Sequence, residues 1–366
     1  MGVLWERQPA TAAKHQLYKR YLDAWWPIFL QSSRPDGRLW QRVTYLDAFA
    51  GPGRYLGGEE GSPVFVLGRL LGHDRRAAMG LSRERVRLLF LEKDDERHEY
   101  LCAELERCFG LLDALPIWPE VHHAEAGIAA DSLLAKSGAW GYPILAIFDS
   151  WGNVNVPLSL IRKIGHNPSS EVIVTFAPNW FSRRHELEPE QLNVVFGGRQ
   201  YWEPADRELR PDERWRVWLA TYRDALRRAG FRFQLQFEIM PRTGQPLYLV
   251  YGTNHPKGVQ VMKDAMWDVD GNDGLGFRDP RTRGAPIIGQ MSLFGGGNDP
   301  ELAELVKQRL ESGPVTLEAL GRWLLEETAR WRVKDARHAV QLLQQDGLVS
   351  VNPPGKLTKA GVIRLR

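Results

Sequence analysis

Val43-Thr44-Tyr45-Leu46-Asp47-Ala48-Phe49-Ala50-Gly51-Pro52-Gly53 decides how this chain is read. A β-branched and aromatic run ends in an acid, and a glycine turn follows at once. Glycine lets a main chain come within contact distance of a bound nucleoside, while the carboxylate of Asp47 faces that ligand's polar groups. The same order recurs downstream. Glu92 ends the run 86–91, Glu125 follows Val121-His122-His123, and Asp149-Ser150-Trp151-Gly152 follows the apolar run 143–148. Strand-ending acids in series are the skeleton expected of a site for S-adenosyl-L-methionine.

The candidate cofactor residues are therefore Asp47, Phe49, Ala50, Gly51, Gly53, Glu92, Lys93, Glu125 and Asp149. Glu92 is expected to take two ribose hydroxyls, since one carboxylate accepts both hydrogen bonds. Glu125 would face an adenine amine or cap the next helix. The candidate catalytic residues are Asp149, Ser150, Trp151 and Gly152. Asp149 and the Ser150 carbonyl would accept hydrogen bonds from an exocyclic amine, with Trp151 stacking on the ring that carries it. The plainer alternative is that Asp149 helps hold the cofactor and Trp151 packs. His122 and His123 point to opposite faces of a strand and lack a matching ligand set, so no metal site is expected.

Around this core the chain alternates strand and helix. Helical patterns cover 11–30, 64–71, 95–109, 128–135 and 157–164; strand patterns cover 87–91, 118–123, 144–148 and 171–176. Such alternation implies α/β architecture, a mostly parallel Rossmann-like sheet with helices on both faces. An Arg- and Trp-rich stretch, 179–230, reads as a helical insertion. Strands 231–240 and 246–253 then close the sheet as a hairpin, which suits the reversed last strand of a methyltransferase and not a dinucleotide dehydrogenase. The expected domains are 1–285, a linker over 286–300, and a C-terminal module over 301–366.

In that module Thr316 caps a helix over 317–325, a second helix runs over 333–343, and strands at 348–351 and 362–365 form a ribbon. Helix, helix and wing is the order of a winged helix-turn-helix. Nine Lys/Arg against five Asp/Glu from Pro314 to Arg366 leave that segment at +4, while the whole chain carries +3. Arg330, Arg332, Lys334, Arg337, His338, Lys356 and Lys359 are its candidate nucleic-acid contacts. A protein-binding or lid module is the alternative. Gln290-Met291-Ser292-Leu293-Phe294 resembles the short peptide that docks on bacterial sliding clamps, and it equally suits a linker pinned by its Leu-Phe pair.

Composition narrows the classes. With 366 residues, 43% hydrophobic and 25% charged, the chain has core enough for two domains. Two cysteines, Cys102 and Cys108, make no disulfide scaffold. An apolar run long enough to span a membrane is missing, and residues 1–7 lack a signal-peptide core, so a cytoplasmic location is expected.

Nearly the whole chain resembles the three-Cys-motif partner (TcmP) methyltransferase family. The resemblance rests on Lys14-His15 with Tyr21-Leu22-Asp23-Ala24-Trp25, on the stretch 45–55 with Gly61-Ser62-Pro63, on Phe196-Gly197 with Trp202, and on 253–258 with Met262, Met266 and Trp267. It implies a Rossmann-like, S-adenosylmethionine-dependent methyltransferase working beside a three-cysteine protein that looks like a radical S-adenosylmethionine enzyme. The family's Asp-Pro-Phe-Gly stands here as Asp149-Ser150-Trp151-Gly152, without the stiffening proline. The resulting expectation is methylation of a nucleic acid or a nucleobase-containing substrate. A catalytically silent binding subunit and a small-molecule methyltransferase lidded by the C-terminal module are the competing readings.

Overall fold

The runs that end in acids lie side by side as parallel strands. A computed structural model describes residues 2–31, 39–271, 274–279, 299–353, 355 and 357–366. Helix α1 (Pro9–Leu30) precedes β1 (Val43–Asp47), and α2 (Ser62–Leu71) and α3 (Arg76–Met79) lead to β2 (Val86–Glu92). The alternation continues through α4 (Asp95–Phe109), β3 (Trp118–His123), α5 (Ala126–Lys136), β4 (Ile144–Phe148), α6 (Leu158–Gly165) and β5 (Glu171–Phe176). Helices α7 (Pro178–Arg184), α8 (Pro189–Phe196) and α9 (Pro211–Arg228) occupy the insertion. The hairpin β6 (Phe233–Met240) and β7 (Leu247–Thr253) follows, then α10 (Pro256–Asp270) and β8 (Gly276–Arg278).

The eight strands form one sheet in the order β3-β2-β1-β4-β5-β7-β6-β8. Strands β3, β2, β1, β4 and β5 pair in parallel, and β7 runs antiparallel to both β5 and β6. This is a mixed α/β fold on a mainly parallel sheet. Every residue of β1, β4 and β5 is buried, as central strands covered on both faces require. Strand β6 alternates buried and half-buried residues, so one of its faces is less covered. Between β1 and β4 the strand order reverses direction, and the crevice at their carboxyl ends is where such sheets bind ligands.

Helix α1 is tied down at its far end by a buried polar knot. Tyr21 donates to Glu171 Oε2 at 2.5 Å, and Tyr251 and Thr253 donate to Glu171 Oε1 at 2.8 Å. Burial pushes the Glu171 carboxyl above its ordinary range, and the three hydroxyls oppose that shift. With one turn of α1 anchored at the start of β5, its N-terminal half is placed at the other end of the sheet.

The described chain divides into two compact units, Met1–His255 with Phe277–Thr282 and Pro256–Gly276 with Arg283–Arg366. The second contains α10, α11 (Asp299–Glu311), β9 (Val315–Thr316), α12 (Leu317–Glu327), α13 (Asp335–Gln345), β10 (Val349–Asn352) and β11 (Val362–Leu365). Its strands form an antiparallel sheet in the order β10-β11-β9, and its core gathers residues such as Leu302, Leu320, Val340 and Ile363. Thr316 does cap α12, accepting from Ala319 N at 3.1 Å.

The division falls before the boundary expected near 285, because α10 belongs with the C-terminal helices. Lys263 on α10 donates to the carbonyls of Leu324, Leu325, Thr328 and Trp331 at 3.2, 2.8, 2.7 and 2.8 Å. Trp267 Nε1 donates to Arg330 O at 2.8 Å. A lysine and a tryptophan seeking main-chain carbonyls have no signature in hydrophobic periodicity.

Candidate active site

The crevice at β1 and β4 is a cleft of about 620 Å³, open mouth included. Its floor comes from Asp47, Ile147 and Asp149 at the strand ends. One wall is the turn Phe49–Tyr55 with Gly61 and Ser62; another is Thr11, Lys14, His15 and Tyr18 of α1; Trp5 and Trp151 stand at the rim.

The glycine turn is built as the sequence requires. Gly51 and Gly53 sit at φ +65° and +79°, the left-handed region that favours glycine. A Cβ on Gly61 would lie 2.7 Å from the Gly53 carbonyl carbon, so the two backbones touch, and Gly61 N donates to Gly53 O at 2.7 Å. Ala50 N donates to Leu91 O at 2.9 Å, stitching the turn to β2.

Asp47 is 1% exposed. Its Oδ1 accepts from Phe49 N at 3.3 Å, and its Oδ2 accepts no hydrogen bond. Burial pushes the carboxyl up to about 6; Ser62 and the Phe49 N–H oppose this, and the charges of Asp149 and Glu92 reinforce it. A buried carboxylate with an unused oxygen costs stability, so it marks a place where a donor group is wanted.

Asp149 stands differently from the expectation. Lys14 Nζ donates to both its oxygens at 2.8 and 2.6 Å, Thr175 donates to Oδ1 at 2.6 Å, and Tyr18 reaches Oδ2 at 3.4 Å. Burial disfavours its charge, yet the Lys14 ammonium and the hydrogen bonds from Lys14 and Thr175 hold it below the ordinary carboxylate range. With both oxygens engaged, Asp149 is no open acceptor for a substrate amine. The Ser150 hydroxyl, as distinct from the carbonyl expected to face a substrate, serves the loop: its Oγ accepts from Val154 N at 3.0 Å.

The loop that follows is strained. Trp151, Gly152 and Val154 take φ of 58°, 96° and 48°. A Cβ on Gly152 would lie 2.8 Å from Ala177 N, and Gly152 O accepts from that same N–H at 2.9 Å. Trp151 is 68% exposed at the cleft mouth.

Other expected residues lie elsewhere. Glu92 accepts from Gly51 N and Asp94 N, both at 2.9 Å, so it props the glycine turn and is absent from the cleft wall. Lys93 is exposed, and its carbonyl accepts from His123 Nε2 at 3.0 Å. Glu125 is an exposed residue at the N-cap position of α5, without a side-chain cap bond. His122 bonds Glu120 at 3.0 Å.

Residues the sequence did not assign to the site are Trp5, Lys14, His15 and Tyr18. Lys14 and Tyr18 lie one helical turn apart and reach the same carboxylate, a spacing that was available as a signal. His15 packs against Phe65 and Tyr55 at 5.0 and 5.6 Å, and burial with the neighbouring Lys14 brings it down to about 3, so it is neutral.

In the second unit the expected nucleic-acid contacts divide: Arg330 and Arg332 are largely covered, while Lys334, Arg337, His338 and Lys359 are exposed. Arg330 is 9% exposed, pairs with Glu301 and lies 4.3 Å over Trp331. Arg332 pairs with Asp335 at 3.0 Å, Lys334 approaches Asp264 at 3.8 Å, and Arg337 donates to Leu357 O at 2.8 Å. His338 also has a partner, and Lys359 is exposed. Lys356 and the peptide Gln290, Met291, Ser292, Leu293 and Phe294 lie outside the described residues. Among the described residues no helix is long and apolar enough to cross a membrane.

No family model matches the chain, and no curated protein matches it. Solved structures give distant likenesses. Trm1 from Pyrococcus horikoshii, in complex with S-adenosyl-L-methionine, is 11% identical over 96% of this chain and 90% of its own, with a TM-score of 0.37. EvdMO1 is 13% identical over 66% of this chain and 42% of its own, at a TM-score of 0.33. The CurJ carbon methyltransferase is 12% identical over 61% of this chain and 50% of its own, at 0.29. The chain thus spans half or less of the length of the last two.

Proposed function

We propose that the chain is an S-adenosylmethionine-dependent methyltransferase acting on a nucleic acid or another nucleobase-containing substrate. One observation carries this: the unused Oδ2 of a fully buried Asp47 beside two left-handed glycines, in the crevice where the strand order reverses. A donor-rich, amino-acid-bearing nucleoside fits that requirement. Asp47 would accept from its N–H groups, and the backbone of Phe49–Gly53 would lie against it. Bound there, the cofactor supplies an electrophilic methyl group.

The chain's own residues then orient and exclude water. Lys14 and Asp149 form an ion pair without net charge at the floor, Trp151 offers its ring to a planar acceptor, and the Ser150 carbonyl keeps the hydrogen-bonding part it was expected to share with Asp149. An amine acceptor needs no strong base, since its proton can leave after transfer; this agrees with a neutral, weakly basic His15. The helix–helix–hairpin order of the second unit supports a winged-helix reading, and Lys334, Arg337, His338 and Lys359 are its exposed basic and imidazole groups. The radical-enzyme-like partner rests on the family resemblance, and clamp docking on the 290–294 peptide.

The test is calorimetry with S-adenosylhomocysteine, followed by transfer of labelled methyl groups to DNA, RNA and metabolite pools. Micromolar binding by the wild type, its loss in Asp47→Ala, and label in nucleic acid are expected. Absence of binding overturns the enzyme reading, and label confined to metabolites without a nucleobase overturns the substrate class.

A further inference from the structure

Trp5 is held firmly at the rim of the cleft. Its carbonyl accepts from Leu56 N at 2.9 Å, and the Arg97 guanidinium sits 5.0 Å over its ring. The ring edge meets the glycine turn, 3.8 Å from where a Gly51 Cβ would be. Tyr55 meets it edge-on at 6.0 Å. Across the mouth stands Trp151, its centroid 6.4 Å away and its plane tilted by 56°. Lys14 Nζ lies 5.9 Å from the Trp151 ring, beneath this gap.

Two indoles thus face one opening, one of them largely exposed on strained backbone. Exposing a tryptophan and straining its main chain are both unfavourable, and packing alone explains neither. The 6.4 Å separation and 56° tilt are those of an aromatic pair in contact, so a planar group enters between the rings only where the two part. Trp151, 68% exposed, is the ring with room to turn through that 56° and lie parallel to a group set against Trp5.

We propose that Trp5 and Trp151 are the two walls of a slot for one planar ring of the methyl acceptor, which enters unpaired. This rests on the methyltransferase reading. A slot closed on both faces by protein has no room for a base still stacked on its neighbours, so a polynucleotide acceptor must be single-stranded or present an extruded base. A free nucleoside meets the same walls.

The test uses the full chain saturated with S-adenosylhomocysteine and two fluorescent probes, 2-aminopurine riboside and a single-stranded oligonucleotide containing 2-aminopurine. Quenching on stacking reports slot occupancy. At least one probe is expected to bind and quench; the oligonucleotide alone identifies a polynucleotide source, and an equally tight riboside a free nucleoside. Trp5→Ala and Trp151→Ala should each weaken that probe at least roughly fivefold, Trp5→Phe should restore most of the loss, and the duplex form should not quench. Trp5→Ala should weaken the probe by a larger factor than S-adenosylhomocysteine, and Ile128→Ala, at an exposed residue outside the cleft, should leave both affinities unchanged. The slot is overturned if neither probe quenches, if the duplex does so equally, or if Trp5→Ala spares the probe and weakens S-adenosylhomocysteine instead. Failure of the wild type to bind S-adenosylhomocysteine is a separate result and strikes the enzyme reading.

Discussion

Among the described residues two lysines, Lys14 and Lys263, are taken out of water, and their surroundings differ in kind. Lys14, 6% exposed, meets a carboxylate bidentately at the cleft floor. Lys263, 0% exposed, meets main-chain carbonyls, two of them from the last turn of α12. Burial brings Lys263 down to about 7, with Asp335 opposing. The first lysine belongs to a charged pair where chemistry is expected. The second serves as a clamp on helix ends, a task the backbone would otherwise leave to water. A buried cation therefore declares its role through the partner it finds.

The largest break in this comparison is Lys14→Met. It strands the Asp149 charge in the interior and should cost about 3–5 kcal/mol in urea unfolding. Adding Asp149→Leu should recover most of that loss, and a single-variant cost under about 1 kcal/mol would contradict the pairing. Next comes Asp47→Asn. The native carboxyl titrates near 6, above its unfolded value of 3.8. The folded state thus binds more protons between those values, and stability drops as pH rises through that window. At pH 7 Asp47→Asn should stabilise the chain by about 3 kcal/mol. Below pH 4 it should do little, and it should abolish S-adenosylhomocysteine binding at either pH. Equal stability of the two proteins at pH 7 would show that Asp47 is not desolvated.

Lys263→Met should cost about 1–3 kcal/mol through orphaned carbonyls. No single second-site change should rescue it, in contrast to Lys14. The smallest effect is expected of Trp151→Gly, which relieves the positive φ. It should raise stability by about 1 kcal/mol while losing acceptor binding. A destabilised variant would mean that the exposed ring packs more than it presents.

The sheet was legible because strand-ending acids, apolar runs and the 231–253 hairpin each leave local traces. The glycine turn was legible for the same reason. What escaped depends on distance along the chain. Lys14 and Asp149 are 135 residues apart, and no pattern near Asp149 tells whether its oxygens will be taken. Glu92 carries a task that no local pattern announces: each of its oxygens accepts a main-chain N–H, one from Gly51 and one from Asp94. Trp5 precedes α1, where periodicity says nothing. The basic cluster at 330–338 illustrates a related blind spot: a count of cations is blind to Glu301, Asp335 and Asp264 waiting beside them.

The touching backbones of Gly53 and Gly61 carry a practical consequence. They fasten the segment between them into a small ring, helped by the bridge between Arg54 and Glu60, with exposed Gly57 and Gly58 at its tip. Its tip is tied back by Arg54, which donates to Gly58 O at 2.7 Å, so an inserted fluorophore tag or short epitope belongs at Gly57, beside that bond. A reporter grafted there would sit within a few residues of the cleft and leave the strands beneath it undisturbed.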